Sequence, residues 1–440
     1  MNPISSSSRR FDAIILGAGI SGLVAASILS SQDEEILITD EYNHIGGNHI
    51  DISIGSYTFD IGSFIFQDDS PLLDHFPELL PLYVPIDPIW GRLTPQGVVT
   101  EYPFSVKDDL ATAGPIAWVR IAASVLFARL TRRNPRNARD FANFYMGRYL
   151  VHRTGLGYYM ERFYGLPSEK IELRFAEKRM LWIKEHANPW KALSLFKPQS
   201  RRPLPKNKQL ARPHEGYDRL YKVAAEQLRR RGVDIKLGTK IISIDKKDND
   251  FIVNTVDGRL ISKRIISTIP ITRLKNLLGW SNEESLKSVR LITLFFSFAG
   301  RRGFSQSILY NFSHEGAWKR LTVYSDFYGH RNGREYFAVE VNSMAVNNSL
   351  EEAASNFQCH MFKQGLFVGD LNIEGSRMTD FAYPIYGDGA TQILDETIAE
   401  LRRFGIESIG RQGAFDYQPT ARDSTIKAEV ALDFPRKDPH

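Results

Sequence analysis

Residues 11–48 read FDAIILGAGISGLVAASILSSQDEEILITDEYNHIGGN. The apolar run 13–16 has the length and composition of a buried parallel strand. It is followed by Gly17, Gly19 and Gly22 at a G-x-G-x-x-G spacing, which lets the chain turn tightly, approach a phosphate group and pack a helix closely on the strand. The pattern predicts a strand, a glycine-rich turn and a helix whose N-terminus favours an anion.

The acidic residue that completes this pattern lies at the end of a second predicted strand. Small residues continue the helix over 23–29, and residues 35–39 form the second strand, which ends at Asp40 and Glu41. A carboxylate at that point can accept hydrogen bonds from both ribose hydroxyls of an adenosine. The stretch therefore predicts a Rossmann-type domain that binds a dinucleotide, and a glycine turn without a ligand is the alternative.

The length and composition indicate a globular protein of more than one domain. With 440 residues, of which 42% are hydrophobic, the chain can bury a large core, and two or three domains are expected. The net charge of +5 is small and the basic residues form no long tract, which gives no indication of nucleic acid binding. Cys359 is the only cysteine, which excludes an internal disulfide and a cysteine-based metal site and suits a reducing cytoplasm.

One segment raises the question of a membrane. Residues 111–130 read ATAGPIAWVRIAASVLFARL and continue into a basic stretch that ends at 139. Pro115 and Arg120 interrupt the apolar run, so no transmembrane helix is predicted. The alternatives are a helix buried in a substrate domain and a peripheral helix that rests on an anionic membrane through residues 111–139. The polar residues before Phe11 are predicted to be a disordered lead, not a signal peptide.

Changes in composition along the chain predict how its domains are arranged. Residues 201–213, RRPLPKNKQLARP, are rich in proline and basic residues, as expected of a linker between domains. The predicted fold class is α/β, with a discontinuous Rossmann-type domain and an inserted substrate domain of mixed helices and β-sheet. Three predicted segments, 1–70, 209–280 and 386–440, together form the cofactor domain. Between them lie a helical insertion (71–208) and a strand-rich substrate region (281–385).

Four segments resemble, in order, the flavin-binding segments of one flavoprotein superfamily. They read GAGISGL (17–23), ITDEYNHIGGN (38–48), LGTKIISIDKKDNDFIVNTVDGRLISKRIISTIP (237–270) and IGRQGAFDYQPTARDSTIKAEVAL (409–432). The superfamily includes amine oxidases, protoporphyrinogen oxidases, carotenoid desaturases and UDP-galactopyranose mutases. In combination the four segments imply that the cofactor is FAD and not NAD.

The resemblance also implies which residues bind the cofactor. The pyrophosphate would be held by Gly17, Gly19 and Gly22, and the ribose by Asp40. The second glycine turn, Gly46 and Gly47 followed by Asn48, would contact the cofactor chain, and the strand that contains Ile241 would contact the adenine. The flavin would lie beside Gly410 and Arg411.

Two kinds of chemistry remain open. Asn48 is similar to the residue that follows the paired glycines in the mutases, and Arg411 and Tyr417 have the spacing of residues that serve flavin and substrate diphosphate there. Ser63 and Pro419 replace the histidine and the acidic residue of the mutase pattern. We therefore predict an FAD-dependent oxidoreductase of the protoporphyrinogen oxidase and amine oxidase type, and a flavin-dependent nucleotide-sugar mutase is the alternative.

The substrate is expected to be a small molecule and the protein to be cytoplasmic. The catalytic candidates are Arg411, Tyr417 and Tyr386. Aromatic rings could line an apolar pocket and arginines could pair with a carboxylate or phosphate, although each could instead belong to the core or to a solvated face. The further candidates are Tyr158, Tyr159, Arg174, Arg179, Trp182, Trp190, Tyr310, Arg320, Tyr328 and Tyr383.

Overall fold

The structure, a computed structural model, describes residues 9–32, 34–62, 65–104, 109, 113–131, 134–180, 183, 207–281 and 286–435, with Lys178 and Arg179 described by their backbone alone. The strands are β1 Arg9–Leu16, β2 Ile36–Thr39, β3 Ile50–Ile54, β4 Tyr57–Ile61, β5 Phe66–Gln67, β6 Val84–Ile86, β7 Trp90–Leu93, β8 Val99–Glu101, β9 Gln209–Ala211, β10 Asp234–Lys236, β11 Ile241–Lys247, β12 Asp250–Thr255, β13 Gly258–Ser267, β14 Ser288–Arg302, β15 Ile308–Asn311, β16 Trp318–Val323, β17 Glu335–Asn342, β18 Phe367–Pro384 and β19 Ile406–Ser408. The helices are α1 Ile20–Leu29, α2 Leu72–His75, α3 Pro115–Thr131, α4 Ala138–Met146, α5 Arg148–Thr154, α6 Leu156–Tyr164, α7 Leu173–Arg179, α8 Tyr217–Arg230, α9 Ile271–Leu277, α10 Ser325–Tyr328, α11 Leu350–Gln364, α12 Ala390–Phe404, α13 Gly410–Gly413 and α14 Ala421–Ala431.

The first sheet contains the strands of the predicted Rossmann-type domain. Its order is β10-β2-β1-β13-β12-β11, and β19 pairs with the second half of β13. Strand β1 runs parallel to β2 and β13, so that Leu16 lies opposite both Thr39 and Ser267. The ends of these strands therefore meet at one edge, where α1 begins and where parallel sheets bind their ligands. The predicted α/β class is confirmed.

The second sheet has the order β18-β14-β17-β16-β15-β7-β8 and is antiparallel except between β7 and β15. Helix α11 covers one of its faces, where Phe296, Phe337 and Phe357 pack in the core. Residues of the opposite face, among them Leu291 and Glu340, line a cavity. The strand-rich character predicted for this region of the chain is confirmed.

Two predictions of local structure need correction. Residues 84–101, within the predicted helical insertion, form β6, β7 and β8, because β7 pairs with β15, which is far away in the sequence. Arg9 and Arg10 are not a disordered lead but belong to β1 and pair with β13. The domain boundaries stay a prediction.

Helix α3 covers most of the apolar segment noted in the sequence. It packs against α4 and α5, yet Ala117 and Ala128 are its only buried residues. The expectation of a buried helix is therefore wrong for most of its surface. No helix among the described residues is long and apolar enough to cross a membrane.

Candidate functional site

Two glycine-rich turns meet at the N-terminus of α1. The Gly46 amide donates a hydrogen bond of 2.9 Å to the Ala18 carbonyl, and Gly47 lies against Gly19. Side chains are excluded here, because a Cβ at Gly22 would overlap the Gly17 carbonyl oxygen. The result is a bare backbone surface in front of the amides of the first helical turn, which is the geometry that holds a phosphate.

Asp40 lies beside this surface at the end of β2. Its carboxylate accepts the amide of Ala18 at 2.7 Å and the amide of Tyr42 at 2.9 Å. Burial raises the pKa of Asp40, and these two hydrogen bonds oppose the rise. The carboxylate thus fixes the first glycine turn, and its remaining lone pairs can accept ribose hydroxyls.

A cavity of about 620 Å³ extends from the glycine turns to the second sheet. This volume is typical of small-molecule sites. The polar and charged residues on the cavity wall include Asp40, Glu41, Asn48, His49, Gln67, Gln209, Arg273, Lys319, Arg320, Glu340, Thr379, Asp380, Arg411, Gln412 and Gln418.

Two consecutive cations of β16 share one carboxylate on the cavity wall. Lys319 Nζ lies 2.9 Å from Glu340 Oε2, and the Arg320 guanidinium donates to Oε1 of the same carboxylate. Neighbouring strand residues normally face opposite sides, but a β-bulge between Trp318 and Arg320 makes Lys319 the extra residue. Burial opposes the ionisation of Glu340, but Arg320 and Lys319 hold its pKa below the usual range.

Arg411 adds a third cation to this end of the cavity. One of its guanidinium nitrogens donates to the Ala382 carbonyl, whereas its buried Nε has no hydrogen-bond partner among the described residues. No carboxylate of the described residues forms an ion pair with it. Burial accordingly lowers the pKa of Arg411. With one carboxylate for three cations, this end of the cavity favours an anion.

Several buried polar atoms on the cavity wall have no hydrogen-bond partner among the described residues. Such atoms cost about 1–3 kcal/mol each when they stay unpaired, so a polar ligand or water is expected to contact them. They are Gln67 Oε1, Gln209 Oε1, Arg320 Nε, Thr379 Oγ1, Arg411 Nε and Gln418 Oε1.

Aromatic rings form another section of the wall. The rings of Tyr102 and Tyr310 stack with centroids 4.1 Å apart, and Trp90 is nearly parallel to Tyr310 at 6.3 Å. All three residues line the cavity. A flat apolar group of a substrate could lie against them.

Most of the cofactor residues implied by the resemblance come together here. Gly17, Gly19, Asp40, Gly46, Gly47, Asn48 and Arg411 line the cavity. Three do not: Gly22 packs under Gly17, Gly410 packs against Ser21, and the Ile241 carbonyl accepts a 3.4 Å hydrogen bond from Arg273, which does line it. Their roles toward a cofactor stay predictions.

The substrate candidates divide into three groups. Tyr310, Arg320, Tyr383 and Tyr417 line the cavity. Trp182, Trp190 and the Arg179 side chain lie outside the described residues, as does Ser63. The others are placed elsewhere: Tyr158 is 38% exposed, Tyr159 stacks on Phe312, Arg174 lies 3.6 Å from Asp395, and Tyr328 donates to the Arg212 carbonyl.

Tyr386, a catalytic candidate, is not on the cavity wall. Its hydroxyl donates to the Phe415 carbonyl at 3.1 Å and accepts the Tyr417 amide at 2.8 Å. Tyr386 therefore positions the chain that carries Tyr417. This corrects the expectation that Tyr386 itself contacts the substrate.

Sequence reasoning missed Lys319 and Glu340. Glu340 interrupts the apolar run YFAVEV of β17, and a charge inside a buried strand indicates a buried partner. The sequence therefore indicates that Glu340 has a buried partner, but it does not indicate which residue the partner is.

Comparisons with known proteins agree with this architecture. Residues 15–78 match a family model described as an NAD(P)-binding Rossmann-like domain. Short segments resemble UDP-galactopyranose mutase from Mycoplasma genitalium (51% identical over 41 residues, 9% of this chain and 10% of the relative), prolycopene isomerase from Daucus carota (40% over 68 residues, 15% and 11%) and protoporphyrinogen oxidase from Nicotiana tabacum (34% over 62 residues, 14% and 11%). The matches thus span about a tenth of each relative.

Solved structures extend the similarity to the whole chain. Reduced UDP-galactopyranose mutase superposes with a TM-score of 0.78 at 15% identity, over 96% of this chain and 93% of the other. The chain therefore shares its overall fold with this mutase. A redesigned putrescine oxidase shares this fold, with a TM-score of 0.61 at 14% identity over 97% and 99% of the two chains. Oxidoreductases and a mutase therefore share the architecture, and both chemistries are compatible with it.

Proposed function

We propose that this protein is an FAD-dependent oxidoreductase whose organic substrate carries an anionic group. The single observation that carries the proposal is the cavity that joins the two glycine turns and Asp40 to the cations Lys319, Arg320 and Arg411. FAD supplies a two-electron acceptor for a substrate hydride.

The residues at one end of the cavity suit a dinucleotide. The bare backbone at Gly17 and Gly46 would hold a pyrophosphate, and Asp40 would accept the ribose hydroxyls. The unpaired oxygens of Gln67, Gln209 and the other buried polar groups would gain partners when a polar cofactor is bound.

The other end would orient the substrate. Lys319 and Arg411 would bind its carboxylate or phosphate, while Tyr310 and Tyr102 would pack against a flat or apolar portion. A fixed anion at the cations and a fixed ring at the aromatic wall define one orientation, which is the contribution that positioning makes to catalysis.

A nucleotide-sugar mutase is the second candidate. Arg320, Arg411 and Tyr417 line the same cavity, and a diphosphate could contact both arginines. Pro419, also on the wall, cannot supply the carboxylate of the mutase pattern, which is why we place this function second.

Flavin spectroscopy tests the proposal. The purified protein, or the protein reconstituted with FAD, should show flavin absorbance, and anaerobic addition of a substrate should bleach it. Failure to take up FAD would overturn both functions. Isomerisation of a UDP-sugar by the reduced enzyme, without net electron transfer, would reject the oxidoreductase in favour of the mutase.

A further inference from the structure

Helix α3 carries an exposed apolar stripe along its whole length. Ile116 is 73% exposed, Val119 69%, Leu126 61%, Phe127 68% and Leu130 64%. At 3.6 residues per turn these side chains, together with Ala123, fall within an arc of about 100°. Exposed apolar residues that occur singly need no explanation, but a continuous stripe of this kind marks an interaction surface.

The rest of the protein holds this helix in place. Ala117 and Ala128 are buried on the opposite side, and the Ser124 hydroxyl accepts the Tyr149 amide at 3.0 Å. Gly147 lies directly against the backbone of Ser124 and Val125. The stripe is therefore a fixed outer face of the helical layer formed by α3, α4 and α5.

The sequence of the α3 segment contains charges of one sign only. Arg120 lies at the edge of the stripe, with its guanidinium 5.9 Å from the Tyr149 ring. Between residues 111 and 139 the sequence contains neither aspartate nor glutamate. The same interval contains Arg120, Arg129, Arg132, Arg133, Arg136 and Arg139.

We propose that the stripe on α3 docks on the surface of an anionic lipid bilayer. The apolar side chains would enter the interface between headgroups and acyl chains, and Arg120 at the edge of the stripe would contact the anionic headgroups. Trp118 of the same helix, which is 51% exposed, is the residue type that favours this interface. The helix lies on the bilayer and does not span it, in agreement with its length and charge.

Charge distinguishes this partner from a second copy of the chain. If two α3 helices packed on each other through their stripes, each would bring arginines and no acidic residue of its own to the contact. Like charges would then approach without a carboxylate from either helix, which opposes association. An anionic bilayer provides the complementary charge.

Vesicle flotation tests the proposal on the full chain. The protein should float with vesicles of phosphatidylcholine mixed with phosphatidylglycerol and bind weakly to phosphatidylcholine alone. The double variant Leu126→Ser, Phe127→Ser should lower the partition coefficient at least about tenfold, and Arg120→Gln should lower it about fivefold on the anionic vesicles only. Phe362→Ser is the matched control, because Phe362 is 85% exposed on α11 and should not matter.

Each outcome of the flotation experiment either supports or overturns the proposed docking of α3 on a bilayer. Binding that is lost in the α3 variants and kept in Phe362→Ser supports the proposal, with unchanged thermal unfolding as the check that the variants are folded. No binding to either vesicle would overturn it. A concentration-dependent dimer that the α3 double variant abolishes would assign the stripe to a second copy. Flavin content does not enter the measurement, so the result is independent of the proposed function.

Discussion

The ammonium of Lys319 lies 2.8 Å from the hydroxyl of Tyr383. The same Nζ is 4.6 Å from the centre of the Tyr383 ring and 2.9 Å from Glu340. Tyr383 in turn donates to the Phe163 carbonyl at 3.1 Å. The position of this buried cation on the cavity wall is therefore set by three other regions of the chain.

Lys319→Met should weaken the binding of an anionic ligand. Charged hydrogen bonds are worth about 1.5–3 kcal/mol, which predicts an increase of at least about tenfold in the dissociation constant of an aromatic carboxylate such as benzoate. Isothermal titration calorimetry measures this dissociation constant. Tyr383→Phe should have a smaller effect, because its ring still lies beside Lys319. The control is Lys263→Met, at an exposed ion pair with Asp12, and equal losses in both lysine variants would contradict the assignment.

Glu340→Gln should destabilise the fold. It leaves Lys319 and Arg320 buried side by side without their carboxylate, a change that costs about 3–5 kcal/mol in buried ion pairs. Urea unfolding measures the loss. Glu315→Gln removes an exposed carboxylate that pairs with Lys363, and it should change the free energy of unfolding little. A Glu340→Gln variant as stable as the parent would show that the cluster does not depend on the charge.

Gly22→Ala should reduce both flavin content and stability. The new Cβ would overlap the Gly17 carbonyl oxygen, so α1 or the glycine turn must move, at a cost of about 1–3 kcal/mol or more. The flavin-to-protein absorbance ratio and the melting temperature report the two effects. Gly157→Ala, in α6, is the matched control because the nearest atom to its Cβ is 4.0 Å away. Unchanged flavin content in Gly22→Ala would contradict the role of this turn.

Acid should destabilise the protein through His49. Burial, aided by the charge of Arg411, lowers the pKa of His49 to about 4, whereas the unfolded chain binds the proton near 6.5. Because the unfolded state takes up the proton first, stability is complete above pH 6.5 and falls by up to ~3 kcal/mol toward pH 4. Urea unfolding at several pH values measures the slope. His49→Phe should flatten it and His330→Phe, at an exposed site, should not; identical slopes in the two variants would disprove the linkage.

Local patterns predicted the strand, glycine turn and helix of the Rossmann-type unit well, and distant pairing explains the errors. Gly17, Gly22 and Asp40 are close in sequence and their spacing is set by one βαβ unit, so they could be placed without a structure. Tyr386 lies three residues after Tyr383, yet only Tyr383 reaches the cavity, because β18 ends at Pro384 and the chain turns away. Sequence proximity does not decide which side chain faces the site.

By itself the sequence determined the Rossmann-type unit, the strand-rich region that follows it, and an apolar helix flanked by arginines. These follow from glycine spacing, apolar runs and charge, which act over a few residues. Only the tertiary structure decided that Lys319, Glu340, Tyr383 and Arg411 share one cavity. They come from β16, β17, β18 and helix α13, and strand pairing together with the bulge in β16 brings their side chains to the same wall.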